Sequence, residues 1–154
     1  MNISIFEVPE IKEQICFRSS VDVFAAMREL WKADREIFKI LFLNNKHVIV
    51  DDEVHSIGDV NTSAIYPRQV FRSALLKNAS SLIFVHNHPT GDCTPSAGDN
   101  DITRKLVEAG VLLDIKVLDH IIIGNRRYYS YGDQGLINEY ETQFKRRERG
   151  LQTV

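Results

Sequence analysis

The chain has 154 residues, of which 44% are hydrophobic and 26% charged, so we expect one folded domain with short extensions rather than a disordered chain. Its 19 basic and 21 acidic residues give a formal charge of −2, which does not favour binding of a polyanion through bulk charge. It has no long apolar run, and no basic start followed by an apolar core, so we expect a cytoplasmic protein that does not enter a membrane. Two cysteines, Cys16 and Cys93, are too few for a disulfide framework or a cysteine-rich zinc site.

Helices and strands are predicted to alternate along the chain. Residues 1–18 mix apolar and charged types around Pro9, which indicates an irregular arm or a marginal edge strand, and a helix follows over about 21–33. The later elements are strands over 36–43 and 47–54, a loop over 55–66, a helix over about 67–79, a strand over 82–85, a loop over 89–95, a helix from 96 to about 113, and strands over 115–123 and 127–131. This order predicts an α/β fold with a single mixed β-sheet and flanking helices.

The last residues, 138–154, form a predicted polar tail that includes the basic run Lys145-Arg146-Arg147-Glu148-Arg149. Such a run is more typical of a solvated helix end than of a patch that binds nucleic acid. DNA is therefore a weakly supported partner of this tail.

Two of the five histidines, His86 and His88, lie two residues apart at the end of a predicted buried strand. Side chains at this spacing project to the same side of a strand, so both imidazoles can reach one ion. Asp99 follows across a loop, in the first turn of a helix, where the helix N-terminus favours an ionised carboxylate. These three side chains predict a zinc site with two histidines, one aspartate and a fourth position open for water.

Hydrolysis at such a site also needs a group that takes and returns a proton, and pattern alone does not choose among 21 carboxylates. Glu36 is unusual because it heads an apolar strand face, where a buried acid is costly. It is either a rim carboxylate at the strand end or part of a site. Ser96 also has two interpretations, because it can form a capping box with Asp99 or donate a hydrogen bond to the oxyanion of a tetrahedral intermediate.

The spacing of these residues resembles a known metalloprotease motif. The order His86-x-His88, seven residues, Ser96, two residues and Asp99 is similar to the JAMM (JAB/MPN) motif, which also has an upstream Glu. Three longer strings resemble the bacterial RadC family, namely His86-Asn87-His88-Pro89-Thr90-Gly91-Asp92-Cys93-Thr94-Pro95-Ser96, Tyr66-Pro67-Arg68-Gln69-Val70-Phe71 and Asp119-His120-Ile121-Ile122-Ile123-Gly124. The resemblance covers about residues 25–137, which predicts an N-terminal arm over 1–24 and a C-terminal tail over 138–154.

The resemblance implies a role for each residue of the motif. His86, His88 and Asp99 would bind one zinc ion per chain. Ser96 would support the tetrahedral intermediate, and Glu36 would act as the general base. The implied fold is the JAB/MPN fold, a mixed sheet with flanking helices that is related to the cytidine-deaminase architecture. The implied reaction is zinc-dependent hydrolysis of a peptide or isopeptide bond in an unknown protein or peptide substrate, in a bacterial cytoplasm.

Two other functions are alternatives to hydrolysis of a peptide bond. A zinc nucleotide deaminase needs His-x-Glu and Pro-Cys-x-x-Cys, whereas residue 88 is His and the chain contains no Cys-x-x-Cys. A RadC-like module of DNA repair or of a mobile element would act by binding DNA or protein, with the basic run as its independent support. Full-length RadC-like proteins carry an N-terminal helix-hairpin-helix region, and we expect a short form without it because residues 1–24 show no such pattern.

The three remaining histidines receive no catalytic role. His47 and His55 flank a predicted strand, so we expect both at the surface. Asp119 and His120 are adjacent in a strand, which is more typical of a structural hydrogen-bonding pair than of a metal site.

Overall fold

The structure, a computed structural model, describes residues 2–3, 6–58 and 65–152 of the chain. In these residues the strands are β1 (Asn2–Ile3), β2 (Phe6–Glu7), β3 (Ile15–Cys16), β4 (Glu36–Leu43), β5 (Val48–Gly58), β6 (Ser81–Asn87), β7 (Lys116–Ile123) and β8 (Tyr128–Ser130). The helices are α1 (Ser20–Met27), which continues as a 3-10 turn over Arg28–Lys32, α2 (Pro67–Leu76), α3 (Ala97–Leu113) and α4 (Leu136–Gln152). None of the helices in this described part is long and apolar enough to cross a membrane.

The main sheet has the strand order β3-β5-β4-β6-β7-β8 within the described residues. Strands β6 and β7 pair in parallel, with α3 in the connection between them, and the other neighbours in this sheet pair antiparallel. Strands β1 and β2 form a separate two-stranded ladder. The α/β class and the mixed sheet with flanking helices are therefore confirmed.

Helices cover both faces of the sheet and create two apolar cores. On one face, α1 and the 3-10 turn contribute Val23, Met27 and Leu30 to a core with the inner residues of β4, β6 and β7. On the other face, α2, α3 and α4 pack against side chains that include Phe38 and Phe84. Strands β4 and β6 are buried along their whole lengths, which explains their nearly continuous apolar sequences.

The end of the sheet where β4 begins and β6 ends carries the polar side chains of interest. Strands β4 and β6 are antiparallel, and Phe38 lies opposite His86 in their register. The first residue of β4 and the last residues of β6 therefore lie at the same end of the sheet. Helix α3 begins near this end after the loop that follows β6.

Strand β5 is longer than the sequence predicts. It continues to Gly58, so the prediction of a loop is wrong for residues 55–58, because β4 offers ladder partners along its whole length. Residues 59–64 of that predicted loop lie outside the described residues. His55 is consequently half-buried, with its ring in a T-shaped arrangement against that of Phe38, whereas His47 is exposed as expected.

Segments outside residues 25–137 also contribute to the two cores. Val8 is buried on the face covered by α1, and β3 forms the edge of the main sheet, as the prediction of a marginal edge strand allowed. The tail predicted over 138–154 is helical through Gln152, and Tyr140 packs against the core on the face covered by α3. The boundaries of arm, domain and tail stay predictions.

Candidate metal centre

Four side chains with metal-binding or acid–base groups meet at the end of the sheet where β4 begins and β6 ends. They are Glu36, His86, His88 and Asp99, and one ligand atom from each lies within 4.8 Å of the others. His88 Nε2 lies 3.0 Å from Asp99 Oδ2 and 3.2 Å from His86 Nε2. His86 Nε2 lies 3.3 Å from Asp99 Oδ1 and 3.5 Å from Glu36 Oε1. The structure thus brings four of the five sequence-predicted site residues to one point.

The register of the sheet explains why Glu36 reaches the two histidines. Because Phe38 lies opposite His86 in an antiparallel pair, Glu36, two residues earlier on the same face, is level with His88. His88 lies just beyond β6, where its backbone N–H donates to the carbonyl of Ile123 on β7 at 3.0 Å. The two histidines therefore project from one face of the sheet towards Glu36.

The first turn of α3 places Asp99 beside the histidines. Ser96 is the N-cap of this helix, and its Oγ accepts from the backbone N–H of Asp99 at 3.0 Å. Asp99 Oδ2 accepts in return from the backbone N–H of Ser96 at 2.9 Å, so the predicted capping box is confirmed. Ser96 is exposed, and because the cap uses its hydroxyl as an acceptor, the hydroxyl proton remains available to another group.

Hydrogen bonds determine the charge of Asp99 and His88. Burial alone would raise the pKa of the Asp99 carboxyl, but the neighbouring His86 imidazole and the hydrogen bonds from His88 and the Ser96 backbone hold that pKa well below its usual range. Burial opposes a charge on His88, but hydrogen bonds to Asp99 and to the carbonyl of Asp92 outweigh it and raise the pKa of His88. Asp99 is therefore ionised at neutral pH, as a metal ligand must be.

Glu36 differs from Asp99 because one of its oxygens has no partner. Oε2 is buried and makes no hydrogen bond in the described part of the chain, and the residue is 7% exposed. Burial raises the pKa of the Glu36 carboxyl. An unpaired buried carboxylate oxygen is costly in free energy. Its position beside the histidines favours a site residue over a rim carboxylate.

The donor set fits a divalent metal ion. Imidazole nitrogens and carboxylate oxygens are ligands of zinc and of other first-row transition metals. His88 Nδ1 lies 2.8 Å from the carbonyl of Asp92, which only accepts, so Nδ1 carries a proton. Nε2 is then the nitrogen of His88 that can offer a lone pair to a metal ion, once it has given up the proton that it shares with Asp99. Together with the unpaired Glu36 Oε2, this lone pair shows that the buried group could hold a metal ion.

Asn87, the middle residue of His-x-His, holds the backbone on both sides of Glu36. Its Oδ1 accepts from the N–H of Ile37 at 2.7 Å, and its Nδ2 donates to the carbonyl of Arg35 at 2.8 Å. The side chain is fully buried, and its amide replaces backbone pairing at the end of β4. The sequence does not predict this contact, because the spacing does not indicate which strand lies beside residue 87.

His120 and Thr103 extend the site into the interior, and the sequence pattern does not predict this contribution either. His86 Nδ1 lies 2.7 Å from His120 Nε2, and His120 Nδ1 lies 2.6 Å from Thr103 Oγ1. Burial lowers the pKa of His120 well below its usual value, so the ring is neutral. The expected Asp119–His120 pair joins the Asp119 carboxylate to the backbone N–H of His120, which leaves the imidazole to His86. The one sequence signal that could have pointed to His120 is the string from Asp119 to Gly124, which resembles the RadC family.

The loop that carries His88 rests on the hairpin between β7 and β8. A Cβ added to Gly124 would lie 2.4 Å from the carbonyl oxygen of Gly91, so a glycine is needed for this close approach. The N–H of Asn125 donates to the same carbonyl at 2.9 Å. Gly91 has a φ of +88°, which glycine adopts without strain. These contacts fix the start of the loop that leads from His88 to Asp99.

The fold is that of a JAB-type domain. A family model described as the RadC-like JAB domain matches residues 17–136 of the chain. The chain belongs to the RadC-like JAB domain family, as its motif strings indicated.

Curated relatives of this chain carry the name UPF0758 protein. One from Methanosarcina acetivorans is 49% identical over 131 residues, which is 84% of this chain and 56% of that protein. One from Caldanaerobacter subterraneus subsp. tengcongensis is 50% identical over 109 residues, which is 71% of this chain and 47% of that protein. One from Pasteurella multocida is 40% identical over 129 residues, which is 83% of this chain and 58% of that protein. The chain thus spans about half the length of these relatives.

Proposed function

We propose that this protein is a zinc-dependent metallohydrolase that cleaves a peptide or isopeptide bond. The observation that carries the proposal is the meeting of three ligand side chains, from His86, His88 and Asp99, with the unpaired Oε2 of Glu36. Three protein ligands leave one position of a tetrahedral zinc ion open, which is typical of catalytic rather than structural zinc sites.

Three of the four residues are proposed to bind the metal, and the fourth, Glu36, is proposed to transfer protons. His86, His88 and Asp99 would hold the metal through two Nε2 atoms and a carboxylate oxygen. A zinc ion held by these residues would supply Lewis acidity for the hydrolysis at neutral pH. Glu36 takes the proton of the attacking water on its carboxylate and returns it to the leaving nitrogen, and the raised pKa of Glu36 suits both steps.

Ser96 is proposed to stabilise the negative charge that develops on the substrate. Its Oγ accepts a hydrogen bond from the backbone of Asp99, so its proton can point towards the oxygen of a tetrahedral intermediate. The same hydroxyl can therefore serve as helix cap and as oxyanion donor, and the two interpretations of Ser96 are compatible.

The test compares metal content and cleavage in four proteins. Zinc-loaded wild type is incubated with a proteome-derived peptide library and with isopeptide-linked peptides, and new termini are identified by mass spectrometry. Wild type cleaves, Glu36→Gln retains zinc but loses at least about 10²-fold in rate, and His88→Ala loses zinc. Asp101→Asn is the matched control, because this carboxylate on α3 is 52% exposed and lies outside the cluster, so it retains both properties. Cleavage by Glu36→Gln at the wild-type rate, or none by zinc-loaded wild type, contradicts the proposal.

The alternative of DNA or protein binding without hydrolysis has less support. Its basis is the basic run in α4, but Arg147 lies 2.8 Å from Glu108, and Lys145 lies 3.9 Å from Glu141. These acidic partners reduce the positive charge offered to phosphates. DNA affinity of the full chain and of Arg146→Ala/Arg149→Ala, measured over a range of salt, tests the alternative. Binding that falls steeply with salt and depends on these arginines would favour it.

A further inference from the structure

A buried row of hydrogen bonds leads from the metal centre into the protein and returns to it. His86 on β6 contacts His120 on β7 at 2.7 Å, and His120 contacts Thr103 on α3 at 2.6 Å. Thr103 Oγ1 donates at 2.6 Å to the backbone carbonyl of Asp99, one helical turn earlier. The three side chains in the row have no exposed surface. Both ends of the row are thus residues of the metal cluster.

The carbonyl end determines where each hydrogen of the row lies. A carbonyl oxygen only accepts, so the hydrogen between Thr103 and Asp99 belongs to Thr103. A hydroxyl has no second hydrogen, so the hydrogen between Thr103 and His120 lies on His120 Nδ1. A neutral His120 then has its lone pair on Nε2. The hydrogen between the two rings therefore lies on Nδ1 of His86.

The surroundings of His120 keep the ring neutral. Its nitrogens contact a hydroxyl and another imidazole rather than a carboxylate. Its ring packs against the aromatic rings of Phe38, Phe84 and Tyr131. An imidazolium in this apolar place would be a buried charge without a hydrogen-bonded counter-ion, which is costly.

We propose that His120 and Thr103 are positioning residues that keep a proton on Nδ1 of His86 and so leave Nε2 of that ring free for the metal. The inference rests on the metal site of the proposed function. It adds two residues that would not bind the ion themselves, because His120 contacts Nδ1 of His86 and Thr103 contacts the backbone carbonyl of Asp99. Asp99 and Glu36 lie 3.3 and 3.5 Å from His86 Nε2. Without the row, these carboxylates favour a proton on Nε2, where it competes with the metal.

The experiment changes Thr103, which lies in the row between His120 and the carbonyl of Asp99. Thr103→Val replaces the hydroxyl with a methyl group of similar size, and Thr103→Ser is the matched control that keeps the hydroxyl. The dissociation constant for Zn²⁺ alone is measured by competition with a chromogenic chelator. In the metal-free protein, ¹⁵N NMR of labelled histidines at mildly alkaline pH reports which nitrogen of His86 carries the proton.

Thr103→Val is expected to weaken Zn²⁺ binding about 10- to 100-fold and to move the His86 proton from Nδ1 to Nε2, whereas Thr103→Ser resembles wild type. Unchanged Zn²⁺ affinity with the proton still on Nδ1 in Thr103→Val overturns the proposal. If Thr103→Val does not fold, as judged by thermal unfolding, a second pair of variants at His120 decides. His120→Gln, which can still accept from His86, should bind Zn²⁺ more tightly than His120→Leu, and equal affinities overturn the proposal.

These readouts separate this inference from the proposed function. A wild type that binds Zn²⁺ and follows the expected order of affinities, but cleaves nothing, refutes the hydrolase and supports the row. A wild type that binds no Zn²⁺ refutes both the metal site and the inference that His120 and Thr103 prepare His86 to bind the metal.

Discussion

Two buried charged side chains, Glu36 and Lys39, lie three residues apart on β4 and have opposite surroundings. Lys39 is 1% exposed on the face covered by α1, and its Nζ contacts the carboxylate of Asp52 and the carbonyl of Pro9. Glu36 lies on the face covered by α3, and its Oε2 has no partner among the described residues. One buried charge is balanced inside the protein, whereas the other is left open towards the histidines.

We interpret Lys39 as a structural charge and Glu36 as the proposed general base. Lys39 ties β4 to β5 and to the segment around Pro9, so its interactions are complete without any ligand. The unpaired Oε2 of Glu36 destabilises the protein, and a bound group that donates a hydrogen bond to this oxygen can offset that cost in free energy. We therefore expect changes at Lys39 to act on stability and changes around Glu36 to act on metal and substrate.

The largest expected effect on stability comes from Lys39→Met. Removing one partner of a buried pair leaves Asp52 without its counter-ion and should cost about 3–5 kcal/mol in the free energy of unfolding. Urea unfolding measures this loss, and zinc content should stay at the wild-type value. The double variant Lys39→Met/Asp52→Leu is the control and should recover part of the loss. Loss of zinc from folded Lys39→Met would contradict the separation of the two charges.

Asp119, which is buried like Glu36 and Asp99, is expected to make the stability depend on pH. Burial raises the pKa of Asp119 to about 6 from 3.8, despite hydrogen bonds from Ser130, Gly132 and the backbone of His120. The folded state therefore binds this proton more tightly than the unfolded chain. The resulting stabilisation is complete below the unfolded pKa and is lost as the pH rises through about 6. The shift of about 2 units corresponds to about 3 kcal/mol.

Asp119→Asn keeps an oxygen for the two backbone donors and removes the titration. Unfolding free energies of wild type and Asp119→Asn are measured from about pH 3 to about pH 7. The stability of wild type relative to the variant should fall by about 3 kcal/mol over this range. Parallel curves for the two proteins would show that Asp119 does not titrate in this way.

A smaller effect is expected from Gly124→Ala, which moves the loop on the metal side. The added Cβ meets the Gly91 carbonyl at 2.4 Å, so the backbone must shift, at a cost of about 1–3 kcal/mol. Because the loop begins at His88, Zn²⁺ affinity should fall too, in contrast to Lys39→Met. Gly150→Ala is the control, since its added Cβ meets nothing within 4 Å and favours the helix. Unchanged Zn²⁺ affinity in Gly124→Ala would separate the hairpin from the site.

Local spacing in the sequence predicted the parts of the site that lie close together in the chain. His86 and His88 share one side because of the two-residue period of a strand, and Ser96 with Asp99 forms the capping box because both lie in one helical turn. Most strands and helices were also predicted, since alternation and caps are local signals. The position of Glu36 came from the family resemblance, because pattern alone did not choose among the acids.

Contacts that depend on the pairing of distant strands could not be predicted. Asn87 reaches the backbone around Glu36 through the register of β4 and β6, and His120 reaches His86 through the register of β6 and β7. A single sequence does not specify these registers. The extension of β5 through His55 was missed for the same reason, because its partner β4 rather than its own composition keeps it extended.

We propose that His86, His88 and Asp99 hold one metal ion while Glu36 remains free to move protons. The most direct measurement is the zinc content per chain after reconstitution and removal of excess metal, by elemental mass spectrometry on folded proteins. We predict one zinc per chain in wild type and in Glu36→Gln, and far less in His88→Ala and Asp99→Asn. No zinc in wild type, or the same zinc content in all four proteins, would contradict the account.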